Sequence, residues 1–528
     1  MSSTSLLFKL QEKLGALLIS SSVKYPDEVL LKVKADNFQP CCKTLHEYLR
    51  SPVMMLFAND RRKTSNSYEV IAVFAAYVYK SWVQVSIDIP ADDPRFPSLA
   101  KSIYSANLFE REIKELFGIE AEGHPDLRRL HLHDEVWPVG NYPLRKDFTG
   151  TALGSELSPY KFSHVEGEGI FEVPVGPVHA GIIGPGHFRF SVAGEPIINL
   201  ELRLGFTHRG VEKHFEGRKC LEAVTLAECV SGDSSFAHSL AYSMAVEKIC
   251  GLKEDLNTGY TRGIFLELER MYNHANDLGG MATDVGFSFP AALASVLKEE
   301  ILQLNDDLTG HRYLKNINQP GELSLEIDQV KKDILKMSLP QIEEDFAELA
   351  QLLNNSASFL DRTENTGTLR QKTAEDLGIV GLAARASGIP NDIRKSFSEI
   401  HKEAEMTMAI EQGGDCLARL KVRITEFTES VRLIKTFLAK LTPDRRPNYT
   451  PAANWPKAGK ALGYAEGWRG PVLYWLETAE NGSISRCKIV DPSFHNWPGL
   501  SYAVLGDIIP DFPLCNKSFD LSYAGNDL

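Results

Sequence analysis

Residues 123–163 read GHPDLRRLHLHDEVWPVGNYPLRKDFTGTALGSELSPYKFS. Neither the period of a strand nor that of a helix survives across them, and His, Pro, Gly and Asp, which punctuate turns, crowd the stretch. A long ordered loop and linker is expected here, between two parts of the chain with different patterns. Upstream, Leu6, Leu7, Leu10, Leu14 and Leu17 mark one face of a short helix, and 29–35 has strand character. Glu69 to Tyr79 and the alternating Val83, Val85, Ile87 and Ile89 predict a hairpin. A helix follows, with Leu99, Ile103, Ala106, Phe109, Ile113 and Leu116 on its apolar face and Glu110, Arg111, Glu112 and Glu115 on or near the opposite one. Downstream, 168–206 alternates like a small antiparallel sheet, stretches 237–250, 262–279, 292–309, 341–359 and 402–441 have helical periodicity, and 464–494 returns to strand-like alternation. The expected class is α+β: a small α/β domain over 1–150, a linker over 151–165, and a mainly helical domain with small antiparallel sheets over 166–528.

Composition narrows the function. The 528 residues carry 57 basic and 70 acidic side chains, a net charge of −13, with 43% apolar residues. That is ordinary globular composition, and it disfavours nonspecific phosphate binding, so nucleic acid is not an expected partner. The longest apolar run, Val70 to Tyr79, is about half of the ~20 residues a membrane-spanning helix needs. Lys9 and Glu12 interrupt the N-terminal apolar stretch, which leaves no signal-peptide core, so a cytoplasmic location is expected. Eight cysteines include no C-x-x-C pair, and reduced thiols are expected.

Several machineries are missing. GPGHFR (184–189) has only two of the three glycines of a dinucleotide fingerprint, and no Walker A, G-x-S-x-G or H-E-x-x-H is present. His124, Asp126, Arg128, Arg129, Arg145, Lys146 and Asp147 stand in a loop too long to be mere connection. Their expected role is a salt-bridged loop packing on a partner. A metal site from His124, His131 and His133 is disfavoured, because the first is distant and an i, i+2 pair is common on surface strands.

Segment 108–148, with ERE, LFGI, GHPDLRR and PLRKD, resembles the smaller of two adjacent hydrophilic subunits of respiratory complex I. LGFTHRGVEK (204–213), FAHSLAYSMAVEK (236–248), ELERMYNHANDLGGMATDVGF (267–287), GLAARASGIPNDIRKSF (381–397), ESVRLIK (429–435), RGPVLYWL (469–476) and CKIVDPSFHNWPGL (487–500) resemble its larger neighbour and the large subunit of energy-converting [NiFe] hydrogenases. The fused order looks closest to formate-hydrogenlyase-type hydrogenases. The resemblance implies a hydrogenase-large-subunit-like fold for 166–528 and an oxidoreductase subunit working beside partners.

The hydrogenase family holds nickel with two C-x-x-C pairs. AECVSGDSSFAH (227–238) places Ser231 and Ser234, and FDLSYAGND (519–527) places Ser522 and Gly525, where those four cysteines would stand. Soft thiolates bridge such a centre, whereas a hydroxyl is a hard, un-ionised ligand and glycine offers none. No metal is expected, and so no active nickel hydrogenase. By the same resemblance His179 matches the quinone-facing histidine of the larger complex I neighbour, Gly232 falls where its tyrosine partner would be, Cys229 replaces an arginine beside the last cluster, and His238 is retained. His179 and His238 are thus the candidate cofactor-facing residues. Arg469 and Asp520 match a charged canopy over the hydrogenase site, and Glu228 keeps an acidic place ahead of the lost first cysteine. His179, Glu228, Arg469 and Asp520 are the candidate catalytic residues.

Two functional readings follow from the resemblance. In one, the chain is an electron-transfer core subunit whose cavity faces a [4Fe-4S] cluster held by an iron–sulfur partner, similar to the small cluster-bearing subunit of complex I, with quinone as an acceptor. In the other, it is a redox-silent scaffold that couples the cavity to membrane subunits. No cluster-ligand pattern exists in this chain, so any cluster belongs to a partner. Both readings place the chain at the cytoplasmic side of the inner membrane, held there by its partner subunits.

Overall fold

A computed structural model describes residues 2–180, 183–442 and 458–528. Helix α1 (Ser3–Leu14) buries Leu6, Leu10 and Leu14, at the spacing of one helix face. It packs on a five-stranded sheet of β1 (Leu18–Tyr25), β2 (Glu28–Val33), β3 (Met55–Asp60), β4 (Ser67–Ala76) and β5 (Ser81–Pro90), in the order β1-β2-β5-β4-β3. The expected hairpin is β4 and β5, while β2 and β5 run parallel. Helix α2 (Ala35–Leu49) supplies the crossover between β2 and β3 and was not expected, because Pro40 stands inside it.

Helix α3 (Asn107–Phe117) departs from the expected amphipathic surface helix: Glu110, Glu112 and Glu115 are buried. Glu115 accepts from the main-chain amides of Leu130 and His131, Glu110 from the Leu99 amide, and Glu112 pairs with Lys488 at 2.7 Å. The 123–163 loop wraps the helix, so its polar face is satisfied by backbone and lysine rather than by water.

The loop ends in a three-stranded antiparallel sheet of β6 (Ile170–Val175), β7 (His187–Ala193) and β8 (Ile197–Arg203), as expected, although Gly181 and Ile182 lie outside the described residues. Four helices then build the main bundle: α4 (Ser235–Cys250), α5 (Leu256–Asp284), α6 (Ser288–Thr309) and α7 (Gln329–Asn355). The single helix expected over 402–441 is instead a loop followed by α8 (Cys416–Lys440), because Gly414 adopts a positive φ of 66° and Asp415 caps the new helix.

Strands β9 (Gly459–Glu466), β10 (Pro471–Thr478) and β11 (Ile484–Val490) form an antiparallel sheet with two buried faces. Along β10, Leu473 and Trp475 enter the hydrophobic core of the N-terminal sheet, while Val472, Tyr474 and Leu476 enter the core of the helical bundle. The strand period of two thus explains the unbroken apolar run VLYWL: the sheet is a wall shared by two cores. At Gly463 the wall meets α4 so closely that a Cβ would lie 2.0 Å from the Ala241 carbonyl oxygen. Helices α9 (Pro492–Ala503), α10 (Phe512–Phe519) and α11 (Tyr523–Asp527) close the fold. Among the described residues no helix is long and apolar enough to cross a membrane.

Candidate functional site

The segment 231–235, the turn carrying Arg469 and the tail from Asp520 meet at the N-terminal end of α4. Ser231 Oγ lies 2.8 Å from Ser522 Oγ, and the Gly525 amide donates to that same Ser522 oxygen at 2.9 Å. Ser234 Oγ donates to Asp233. The four places that would carry cysteines in the hydrogenases therefore come together, three of them joined by hydrogen bonds. Asp491 occupies the space beside Gly525: a Cβ there would lie 2.6 Å from its carboxylate. That carboxylate is held 3.1 Å from His238 Nε2, whose Nδ1 meets the Tyr474 hydroxyl at 2.9 Å.

Above this cluster Arg469 and Asp520 do pair, but Arg469 has a closer partner. Arg469 makes a bidentate bond with Asp233, at 2.9 and 2.7 Å, and donates through Nε to the main-chain oxygen of Asp520. The Asp520 carboxylate is 3.7 Å from Arg469 and is held by Lys517 at 2.8 Å. Asp277 feels the charge of Asp520 and is approached by Arg423 at 2.7 Å. Burial and the Asp520 charge push Asp277 up to about 7, while the Lys517 and Arg469 cations hold Asp520 below the ordinary carboxylate range, against the opposing effect of its burial. Asp277 is thus the group of the two that takes up or gives a proton near neutral pH, while Asp520 stays ionised.

Removing Asp520 does not strip Arg469, because Asp233 remains. Asp233→Ala and Asp520→Ala are each expected to cost about 1–3 kcal/mol. A double-mutant cycle in urea denaturation should show a coupling of at least about 0.5 kcal/mol, since only the double variant leaves the guanidinium without a carboxylate. Strict additivity would remove Arg469 as their common partner.

The remaining candidates stand farther off. His179 lies in the β6–β7 loop, its Nε2 2.7 Å from the Gly186 carbonyl oxygen, and it reaches the tail only indirectly, through the packing of Gly186 against the Tyr523 ring. Glu228 is buried but turns away: it accepts from the Asn316 amide at 2.7 Å and bonds to neither Arg469 nor Asp520, and burial raises its pKa. A Cβ at Gly232 would meet nothing within 4 Å, so the place of the missing tyrosine is open. Cys229 is exposed, and Cys515 is buried beside Cys416. The 123–163 loop is salt-bridged, but to its own chain: Arg128 to Asp126 and Glu201, Lys146 to Glu216, and Asp147 to Arg62. Among the described residues, no three His, Cys, Asp or Glu side chains are grouped to hold a metal ion.

Sequence reasoning missed Asp233, Asp277, Asp491 and Lys517. Asp233 had a local signal, since it stands between the two serines in SGDSS. Asp277 and Asp491 stood inside quoted motifs, 267–287 and 487–500, while Lys517 had no signal: it meets Asp277 only by the packing of α5 against α10.

Residues 31–153 match the family described as the 30 Kd subunit of respiratory-chain NADH dehydrogenase, and residues 284–458 match its 49 Kd subunit. Formate hydrogenlyase subunit 5 of Escherichia coli K12 is 31% identical, the match covering 99% of this chain and 92% of that protein. NADH-quinone oxidoreductase subunit 4 of Thermus thermophilus is 30% identical, covering 66% of this chain and 92% of its own. A chain of the membrane-bound sulfane sulfur reductase, an archaeal respiratory membrane complex, shares the fold with a TM-score of 0.64 at 22% identity, over 69% of this chain and 100% of that one. With both parts in one polypeptide and the match to formate hydrogenlyase subunit 5 running nearly end to end, the chain belongs to the family of complex I 30 Kd and 49 Kd subunits and their hydrogenase relatives.

Proposed function

We propose that the chain is a hydrophilic core subunit of a membrane-associated, complex-I-like oxidoreductase, working without a Ni–Fe centre beside a [4Fe-4S] cluster of an iron–sulfur partner, with quinone as the acceptor. It is held at the cytoplasmic face of the membrane by partner subunits. The observation that carries this reading is the hydroxyl cluster of Ser231 and Ser522. Where thiolates would bridge a metal, neutral oxygens bond to each other and to the Gly525 amide, and Asp491 fills the fourth place. This donor set does not fit a thiolate-bridged Ni–Fe centre, whose bridges are soft anionic sulfurs.

What the chain's own residues do follows from their charge. Asp233 and Asp520 fix Arg469, and Asp277 holds a proton close to neutrality. A group that gives or takes a proton near pH 7 suits an acceptor that takes up protons on reduction. His179, in the β6–β7 loop, is the residue proposed to face the quinone.

The purified complex is expected to contain less than about 0.1 nickel per chain, a level well below the one-to-one stoichiometry of a resident metal. Its reduced cluster should be re-oxidised on addition of a short-chain quinone, followed by electron paramagnetic resonance. Stoichiometric nickel with hydrogen uptake would sink the first half, and a cluster indifferent to quinone the second. A redox-silent coupling role gains support from one feature, the buried ionic ladder between α5 and α8. Glu267, Arg270, His274 and Asp277 on α5 face Arg423, Glu426 and Ser430 on α8, leading from the site into the body of the bundle. Cluster oxidation that fails while the intact complex still assembles would favour that role.

A further inference from the structure

Arg419, on α8, is fully buried and makes no ion pair among the described residues. Arg270, Arg385 and Arg423, buried as deeply, each have a carboxylate. Arg419 donates instead to the main-chain oxygens of Gly414 and Gly367, at 2.7 and 2.8 Å, to Ser518 Oγ at 2.9 Å and to Cys416 Sγ at 3.5 Å, and it lies 4.1 Å from the centre of the Phe519 ring. Two carboxylates nearby are engaged elsewhere: Asp415 accepts from the Ala418 and Asn365 amides, and Asp507 from the Gly367 amide and the Cys515 thiol. A guanidinium cannot give up its proton, and a buried charge without a counter-ion is costly. Of the groups it touches, only Cys416 can ionise. Cys416 is the first residue of α8, where the free amides and the helix dipole favour negative charge. Burial pushes its thiol up, but Cys515, Arg419 and Ser518 outweigh that and bring it down to about 7.

A second thiol, Cys515 on α10, stands against the first. A Cβ at Gly367 would lie 2.7 Å from Cys515 Sγ and 3.3 Å from Cys416 Sγ, so both sulfurs flank one backbone position. The Ser518 hydroxyl lies 3.5 Å from Cys416 Sγ and donates to the Cys515 carbonyl oxygen at 2.6 Å, which joins the two sides. We propose that Cys416 and Cys515 are a redox-modification site, converted by hydrogen peroxide into a disulfide that ties α8 to α10. The Cys416 thiolate attacks one peroxide oxygen, the O–O bond breaks and hydroxide leaves, so that sulfur becomes a sulfenic acid. The Cys515 sulfur then attacks the Cys416 sulfur, the S–O bond breaks, and the hydroxyl departs as water with the Cys515 proton. The pair gives up two electrons, and the peroxide takes them. Both sulfurs are buried, so the oxidant reaches them through local opening of the turn 364–368, which carries Gly367 and exposes Glu364 and Asn365. Because α10 carries Lys517 and runs into Asp520, the link forms at the base of the tail that meets Arg469, and it takes the thiolate away from Arg419.

The test is treatment of the purified complex with hydrogen peroxide, followed by unfolding in N-ethylmaleimide and mass spectrometry of the unreduced peptides. Exposed Cys229 is the internal control for delivery of the oxidant. A peptide pair joined through Cys416 and Cys515 is expected, and dithiothreitol should separate it. Cys515→Ser should stop at a sulfenic acid on Cys416, trapped by dimedone present during unfolding, and Cys416→Ser should leave Cys515 unoxidised. The wild-type rate keeps the test independent of any variant. The charged and titratable groups facing Cys416 are Arg419, Asp415, Asp507 and Cys515, and Cys515 stays a thiol because Cys416 and burial raise it. With Cys416 near 7, the rate of linkage should rise by no more than about a fifth between pH 8 and 9, whereas a thiol of ordinary value would rise about threefold. A threefold rise, a link between Cys220 and Cys250 in place of this one, or Cys416 and Cys515 still unlinked once Cys229 is fully oxidised overturns the proposal.

Discussion

Glu426→Ala is expected to destabilise the protein by about 3–5 kcal/mol, the usual effect of removing one partner from a buried ion pair. Glu426 is 3% exposed and serves three buried groups at once. It accepts two bonds from Arg385, at 2.9 and 2.6 Å, and lies 3.3 Å from Arg270 and 2.9 Å from His274. Arg385 keeps Glu466 and Arg270 keeps Glu267, so the loss is not the sum of three pairs, but no water can reach the vacated side. Urea denaturation checks the value. Glu343→Ala is the control, since its pair with Lys435 leaves both side chains 44% exposed and its loss should cost under about 1 kcal/mol. Equal effects of the two substitutions would mean that the α5–α8 ladder is hydrated rather than buried.

Asp277→Asn should remove a pH dependence from the protein's stability. Asp277 is pushed up from an ordinary 3.8 to about 7 in the folded chain by burial and by Asp520. A carboxyl raised in this way contributes stability that is fully present below its unfolded value and lost as pH rises through the folded one. The wild-type protein should thus lose stability between about pH 4 and 7, at a slope of up to about 1.4 kcal/mol per pH unit for one proton. Asp520, held low by Lys517 and Arg469, stays ionised throughout this window and adds no slope of its own. Asparagine cannot titrate, so the variant should be flatter over this range and relatively more stable above pH 7. Thermal midpoints from pH 5 to 8 decide it, and parallel curves for the two proteins would rule out the raised Asp277 carboxyl.

What the sequence disclosed about this fold depended on whether a pattern was local. Strand alternation at 83–89 and the leucines of α1 each report on one face of one element, and they placed those elements. The glutamates of α3 misled, since a helix wheel tells which side is polar but not whether a distant loop will cover it. The residues 471–476 are apolar throughout, which periodicity alone cannot divide between two cores. At the site, the four replaced cysteine places were found through resemblance and do meet in space. Arg469 and Asp520 do pair, at 3.7 Å, but the closer partner of Arg469 was missed: Asp233 sits between two of the serines and belongs to both canopy and cluster. Asp277 lies within the quoted 267–287 segment but Lys517 carries no motif, and only the docking of α10 on α5 makes them neighbours.

The contact between Gly525 and Asp491 bears on how reversible the loss of cysteines is. Gly525 lacks a positive φ, so its backbone would accept a side chain, yet any Cβ there collides with a carboxylate that His238 and the Ser493 amide hold from the far side. Restoring cysteine at 525 therefore requires Asp491 to swing away first, abandoning both bonds, and serine-to-cysteine changes at 231, 234 and 522 do not relieve that collision. Cysteine at 525 is therefore expected to be accepted only together with a change at Asp491.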